Sequence, residues 1–106
     1  MIIWINGAFG VGKTSVAQRL IEIWPDGILF DLELLGRFIR RTVPAVAEVD
    51  YADVPLWRDM VVQLARGLDY QYDGPVVVPM SVWNREVHAE LIGGLLSSGV
   101  VVKHFS

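Results

Sequence analysis

Cysteine is absent from this 106-residue chain. That excludes a disulfide framework and any thiolate metal site, and it accords with a reducing compartment. Long apolar runs are missing too. No stretch approaches the ~20 residues that cross a bilayer, and the apolar start, Met1 to Ile5, lacks a basic leader and is too short for a secretory signal. The expectation is a cytoplasmic protein with no spanning segment. Positive charge is scarce and scattered: 9 Lys and Arg stand against 12 Asp and Glu, for a net charge of −3. A nucleic-acid binder carries a basic stripe, and none is present here. The 2 histidines, His88 and His104, have no ligand-spaced partners. They suggest neither a metal site nor a catalytic triad, and structural roles are expected of both.

What remains is rich in apolar residues, 53% of the chain with 20% charged, enough for one packed domain over residues 1–106. Ile2 to Ile5 is an unbroken apolar run, as in a strand covered on both faces. A glycine-rich turn follows, then a helix from about Lys13 to Trp24 with Val16, Ala17, Leu20, Ile21 and Trp24 at helical spacing. Pro25-Asp26-Gly27 stops it. Ile28-Leu29-Phe30 reads as a second short buried strand. The next helix runs from about Leu32 to Arg41, with Leu34, Leu35, Phe38 and Ile39 on one side and Arg37, Arg40 and Arg41 on the other.

Thr42 to Val54 has no clear period. Pro55 opens a longer helix with Trp57, Met60, Val61, Leu64 and Leu68 along one face. Val76 to Met80 is a third buried strand. Asn84 is placed to cap a helix from Arg85 to Leu96 that turns Val87, Leu91 and Leu95 inward. Val100 to Phe105 is a fourth strand. The alternation of strands and helices predicts an α/β fold, a parallel sheet of about four strands with helices on both faces.

The turn after the first strand carries the chemistry. Gly7-Ala8-Phe9-Gly10-Val11-Gly12-Lys13-Thr14 matches G-x-x-x-x-G-K-[ST] at every fixed position. A chance match is on the order of one in 10⁴ to 10⁵ per window at average residue usage. The setting between strand and helix is the one the mechanism requires. Glycines admit backbone conformations in which successive N–H groups converge on an anion, and the first turn of the helix, including Ser15, adds unpaired donors and the positive end of its dipole. Lys13 is placed to bridge the β- and γ-phosphates of ATP, and the Thr14 hydroxyl to hold Mg²⁺.

Other candidates gather after the strands. Asp31 is either the base for an acceptor hydroxyl, or an outer Mg²⁺ ligand, or the N-cap of the next helix. Glu33 reads as a first-turn helix charge. Arg37, Arg40 and Arg41 either grip an anionic acceptor or form a solvated face. Arg58 is a weaker ligand-contact candidate beside a core Trp57. Ser81, Asn84 and Arg85 follow the third strand, Arg85 as a possible acceptor contact. Gly93-Gly94 inside a helix costs ~1 kcal/mol each and points to close packing or a break. The third strand, "VVVPMSV", contains no acid, whereas many nucleotide-binding domains of this type end that strand with an Mg²⁺-holding aspartate.

The segments "MIIWINGAFGVGKT", "VPLWRD", "VVVPMSVWN" and "GVVVKHFS" resemble the tunicamycin-resistance ATP-binding proteins, in the same order and at similar spacing. The resemblance implies a three-layer, kinase-like P-loop fold that binds ATP through Gly7, Gly10, Gly12, Lys13 and Thr14. It also implies a link to resistance against a nucleoside antibiotic, by phosphorylation of a small hydroxylated acceptor, by sequestration of the drug, or by a more general NTPase activity. Members of that family continue past the position of Ser106, so the resemblance implies that an arginine-bearing lid and a last strand lie outside these residues. The fourth strand would then be an open edge, suited to pairing with another copy.

Overall fold

Four apolar segments form one parallel sheet in the computed structural model, which describes residues 1–6, 19–80 and 85–105. They are β1 (Ile2–Asn6), β2 (Ile28–Leu29), β3 (Val76–Met80) and β4 (Val102–Phe105), in the spatial order β2-β3-β1-β4. The helices are α1, described over residues 19–23, α2 (Leu32–Thr42), α3 (Pro55–Gln71) and α4 (Arg85–Ser97), with single 3₁₀ turns at Pro44–Val46 and Tyr51–Asp53 between α2 and α3. This is the expected α/β architecture.

The two central strands explain their own composition. Ile2, Ile3 and Trp4 of β1 and Val76, Val77 and Val78 of β3 are all buried, because residues pointing to either face of the sheet are covered. Ile2, Trp4, Val76, Val78 and Met80 join one core with Leu32 and Ile39 of α2, Trp57, Val61 and Ala65 of α3, and Val87, Leu91 and Leu95 of α4. Ile3 and Val77 face the other way, onto Leu20 of α1 with Ile5 and Trp24 at the margin. Pro79 sits within β3 opposite Ile5 of β1. Phe30 N–H donates to Val77 C=O at 2.9 Å, so by alternation the N–H missing at Pro79 is one that would have continued toward β2. The short β2 ends where the ladder loses its donor.

Three helix and strand expectations are corrected. The inward side of α2 is Leu32, Gly36 and Ile39, with Leu35 at the margin. Leu34 and Phe38 are exposed instead, at 59% and 64%. Their side of the helix carries Arg37 and Arg41, while Arg40 lies further round and gives Nε and Nη2 to Ala47 C=O at 3.1 and 3.0 Å. β2 is an edge strand rather than a fully buried one: Phe30 is buried and Leu29 exposed. Ile21 and Leu64, assigned to inner faces by spacing, are both exposed, and Ala65 takes the inward position on α3. α4 matches its expected face in full, and it passes through Gly93 and Gly94 without a break. Val62 lies against Gly94, where an added Cβ would come within 3.1 Å of it; Gly93 meets nothing.

Candidate functional site at the carboxyl edge of the sheet

The chain leaves β1 and crosses two places to β2, then returns to β3, beside β1, and finally crosses to β4 on the far side. The direction of winding reverses around β1, and in open parallel sheets ligands bind outside the carboxyl ends of the strands at such a point. Asn6 and Met80, the last residues of β1 and β3, are register partners. The segments 7–18 and 81–84 therefore begin from adjacent points of this edge. Gly7, Ala8, Phe9, Gly10, Val11, Gly12, Lys13, Thr14 and Ser15, together with Ser81 and Asn84, lie outside the described residues.

Asp31 follows β2 at the same edge and is exposed. One of its carboxylate oxygens accepts from Glu33 N–H at 3.0 Å and Leu34 N–H at 3.3 Å, the side-chain cap of α2. The other oxygen has no hydrogen bond to a described residue, so capping leaves half of the carboxylate open at the edge. Arg37 is exposed on α2, and Arg85 is the exposed first residue of α4. Arg58 is differently placed. Its Nε donates to Ala52 C=O at 2.7 Å, its Nη1 pairs with Glu90 at 3.0 Å, and Asp53 lies 3.9 Å away. This guanidinium ties the 3₁₀ turn at Tyr51–Asp53 to α3 and α4.

Tyr51, which the sequence pattern did not single out, packs against α2, the helix that Asp31 caps. Asp50 caps its turn by accepting from Ala52 N–H at 3.1 Å. The ring lies directly on Gly36, where any Cβ would fall 2.4 Å from Tyr51 Cγ. It also meets the Trp57 ring at 5.0 Å between centroids, tilted by 54°. Trp57 is itself anchored by its Nε1–H donating to Leu32 C=O at 3.1 Å. Burial, and then the carboxylates of Glu33, Asp50 and Asp31, push the Tyr51 phenol up to about 12, with Arg37 opposing them. The one signal in the sequence is Gly36 inside a helix, where the missing side chain leaves room for a close neighbour.

The two histidines, far apart in sequence, meet in the structure. His88 of α4 and His104 of β4 are ring neighbours, 4.9 Å apart, with Trp4 6.0 Å from His88. Nε1 of Trp4 and Nε2 of His88 are buried and have no hydrogen-bond partner among the described residues. Burial and then the adjacent His104 lower the His88 pKa below its usual value of 6.5. Among the described residues, no group of three or more His, Cys, Asp or Glu is arranged to hold a metal ion.

The winding order and the covered central strands define a P-loop-like α/β domain of the kinase-like kind. A likeness in both fold and sequence makes this more particular: the chain is similar to the tunicamycin resistance protein of Deinococcus radiodurans. It matches that solved structure with a TM-score of 0.83 and 35% identity over 97% of this chain, and it spans 59% of the other. The resemblance carried by the four sequence segments therefore holds along nearly all of these residues and corresponds to part of such a protein. A second solved structure, of APE1195, shares the fold, with a TM-score of 0.56 and 17% identity over 98% of this chain and 57% of its own. No family model and no curated protein matches the chain. None of its described helices is long and apolar enough to cross a membrane.

Proposed function

We propose that this chain is an ATP-binding P-loop domain that transfers a phosphoryl group to a small hydroxylated acceptor, such as a nucleoside antibiotic of the tunicamycin type. The observation that carries the reading is positional. The sequence G-x-x-G-x-G-K-T begins directly after β1, at the point of the sheet where the winding reverses and β3 ends alongside. Asp31 stands on the same edge with one carboxylate oxygen open.

ATP bound here would have its terminal phosphates among the main-chain amides of residues 10 to 14 and the Lys13 ammonium, with Mg²⁺ held by Thr14. The Mg²⁺–ATP supplies the transferable phosphoryl group. Asp31 accepts the proton of the acceptor hydroxyl, and the exposed Arg37 and Arg85 attract the charge of an anionic acceptor or of the group in transfer. Such catalysis is mainly positioning and electrostatics.

Lys13→Ala should abolish ATP binding in calorimetry, and retained tight binding would refute the assignment. Mass spectrometry of tunicamycin incubated with ATP and the protein then tests the transfer through a gain of one phosphate mass. One observation favours a second reading, sequestration of the drug without turnover: β3, Val76–Met80, carries no acid to hold Mg²⁺. Drug binding without any gain of mass would select it.

A further inference from the structure

We propose that Tyr51 contacts the acceptor directly, its phenol hydroxyl hydrogen-bonding an acceptor hydroxyl beside Asp31. The inference rests on the acceptor reading above and names a residue for it. The ring is held from two sides, at the margin of the core. Gly36 gives up a side chain to let the ring lie on the helix backbone, and Trp57, pinned to Leu32 C=O, supports it at 5.0 Å. The 3₁₀ turn that presents the ring is fastened separately, by the Asp50 cap and by Arg58 reaching Ala52 C=O.

A fully buried tyrosine hydroxyl is normally paired, whereas one that reaches the surface is open to a ligand. Here the hydroxyl has no hydrogen-bond partner among the described residues, and Tyr51 is only half-buried. The ring lies against Gly36 in the first half of α2, and the charges that act on it are those of Glu33, Asp50 and Asp31 with Arg37. The phenol is protonated throughout the physiological range, as an ordinary phenol is, and burial followed by these carboxylates raises its pKa further. It remains a donor as well as an acceptor, suited to an uncharged hydroxyl of a sugar-like or nucleoside ligand. A phenolate there would repel the developing charge that Asp31 must relieve.

The test is calorimetry of tunicamycin and, separately, ATP against the wild-type chain and Tyr51→Phe, which keeps the ring and its packing. Loss of one such hydrogen bond should weaken tunicamycin about tenfold, with ATP affinity and melting temperature unchanged. Unaltered tunicamycin affinity in Tyr51→Phe overturns the inference and leaves the acceptor reading standing. A parallel loss of ATP affinity or of melting temperature overturns it as well, by making the hydroxyl structural. A wild-type chain that binds ATP but not tunicamycin refutes the acceptor reading itself, and this inference with it.

Discussion

At the amino edge of the sheet the polar groups close on one another, whereas toward the carboxyl edge Asp31 and Tyr51 each keep a polar atom with no partner among the described residues. The amino edge is knit by the Met1 ammonium on Asp69 and by the Tyr72 hydroxyl donating to Asp26 C=O. Val76 N–H donates to Met1 C=O and Ile28 N–H to Pro75 C=O, each at 2.9 Å. Gly74 completes the closure, since a Cβ there would meet Asp26 C=O at 2.6 Å. At the carboxyl edge, the Tyr51 ring lies on Gly36 while its hydroxyl has no hydrogen-bond partner among the described residues, and Asp31 caps a helix with one of its oxygens. Two tyrosines in one small fold thus differ: the Tyr72 hydroxyl closes on a backbone carbonyl, and the Tyr51 hydroxyl has no hydrogen-bond partner among the described residues.

The contrast breaks most completely at Trp57. Trp57→Ala removes a fully buried side chain, its hydrogen bond to Leu32 C=O and the support of the Tyr51 ring. It should cost about 3–5 kcal/mol in urea unfolding. Gly36→Ala comes next, at about 1–3 kcal/mol, because the new methyl must displace the Tyr51 ring. The phenol titration, followed by phenolate absorbance, should then move down from about 12 toward 10. The sign for the wild type follows from that shift. The unfolded phenol ionises first, so stability is complete below pH 10 and falls as pH rises from 10 to about 12. Gly36→Ala should flatten that decline.

Asp31 separates packing from chemistry. Asp31→Ala loses the cap, for about 1 kcal/mol, while Asp31→Ser keeps a capping oxygen and most of the stability. Both should lose phosphoryl transfer if the carboxylate takes the acceptor's proton, and an active Asp31→Ser variant would confine Asp31 to the cap. A smaller, pH-linked effect belongs to His88. Its folded pKa is depressed, so stability is complete above about pH 6.5 and declines as pH falls through that value toward the folded one. His88→Gln should reduce the slope in acid denaturation curves. The smallest change is predicted at the amino edge, where Asp69→Asn removes a partly exposed ion pair. That should cost less than about 1 kcal/mol and leave ATP and tunicamycin binding unaltered.

Much of the fold could be read along the chain because its causes are local. Unbroken apolar runs marked β1 and β3, Pro55 marked the start of α3, and the spacing of Val87, Leu91 and Leu95 marked the buried face of α4. Asp31 was legible both as a cap and as an edge residue, since the end of a strand and the start of a helix coincide there. The motif from Gly7 to Thr14 was legible as a pattern of residue types, and it lies outside the described residues.

The sequence by itself determined the class of fold, the order of its elements and the position of the glycine-rich turn after the first strand, because each follows from hydrophobic periodicity and backbone preference over a few neighbouring residues. Only the tertiary structure decided which side of α2 turns inward, that Arg58 is drawn to Glu90, that His88 meets His104, and that Tyr51 lies on Gly36. Each of these joins residues far apart in the chain, or depends on a partner that no local pattern announces. A helix with apolar residues on more than one side has no preferred rotation until a neighbouring ring claims the one position without a side chain.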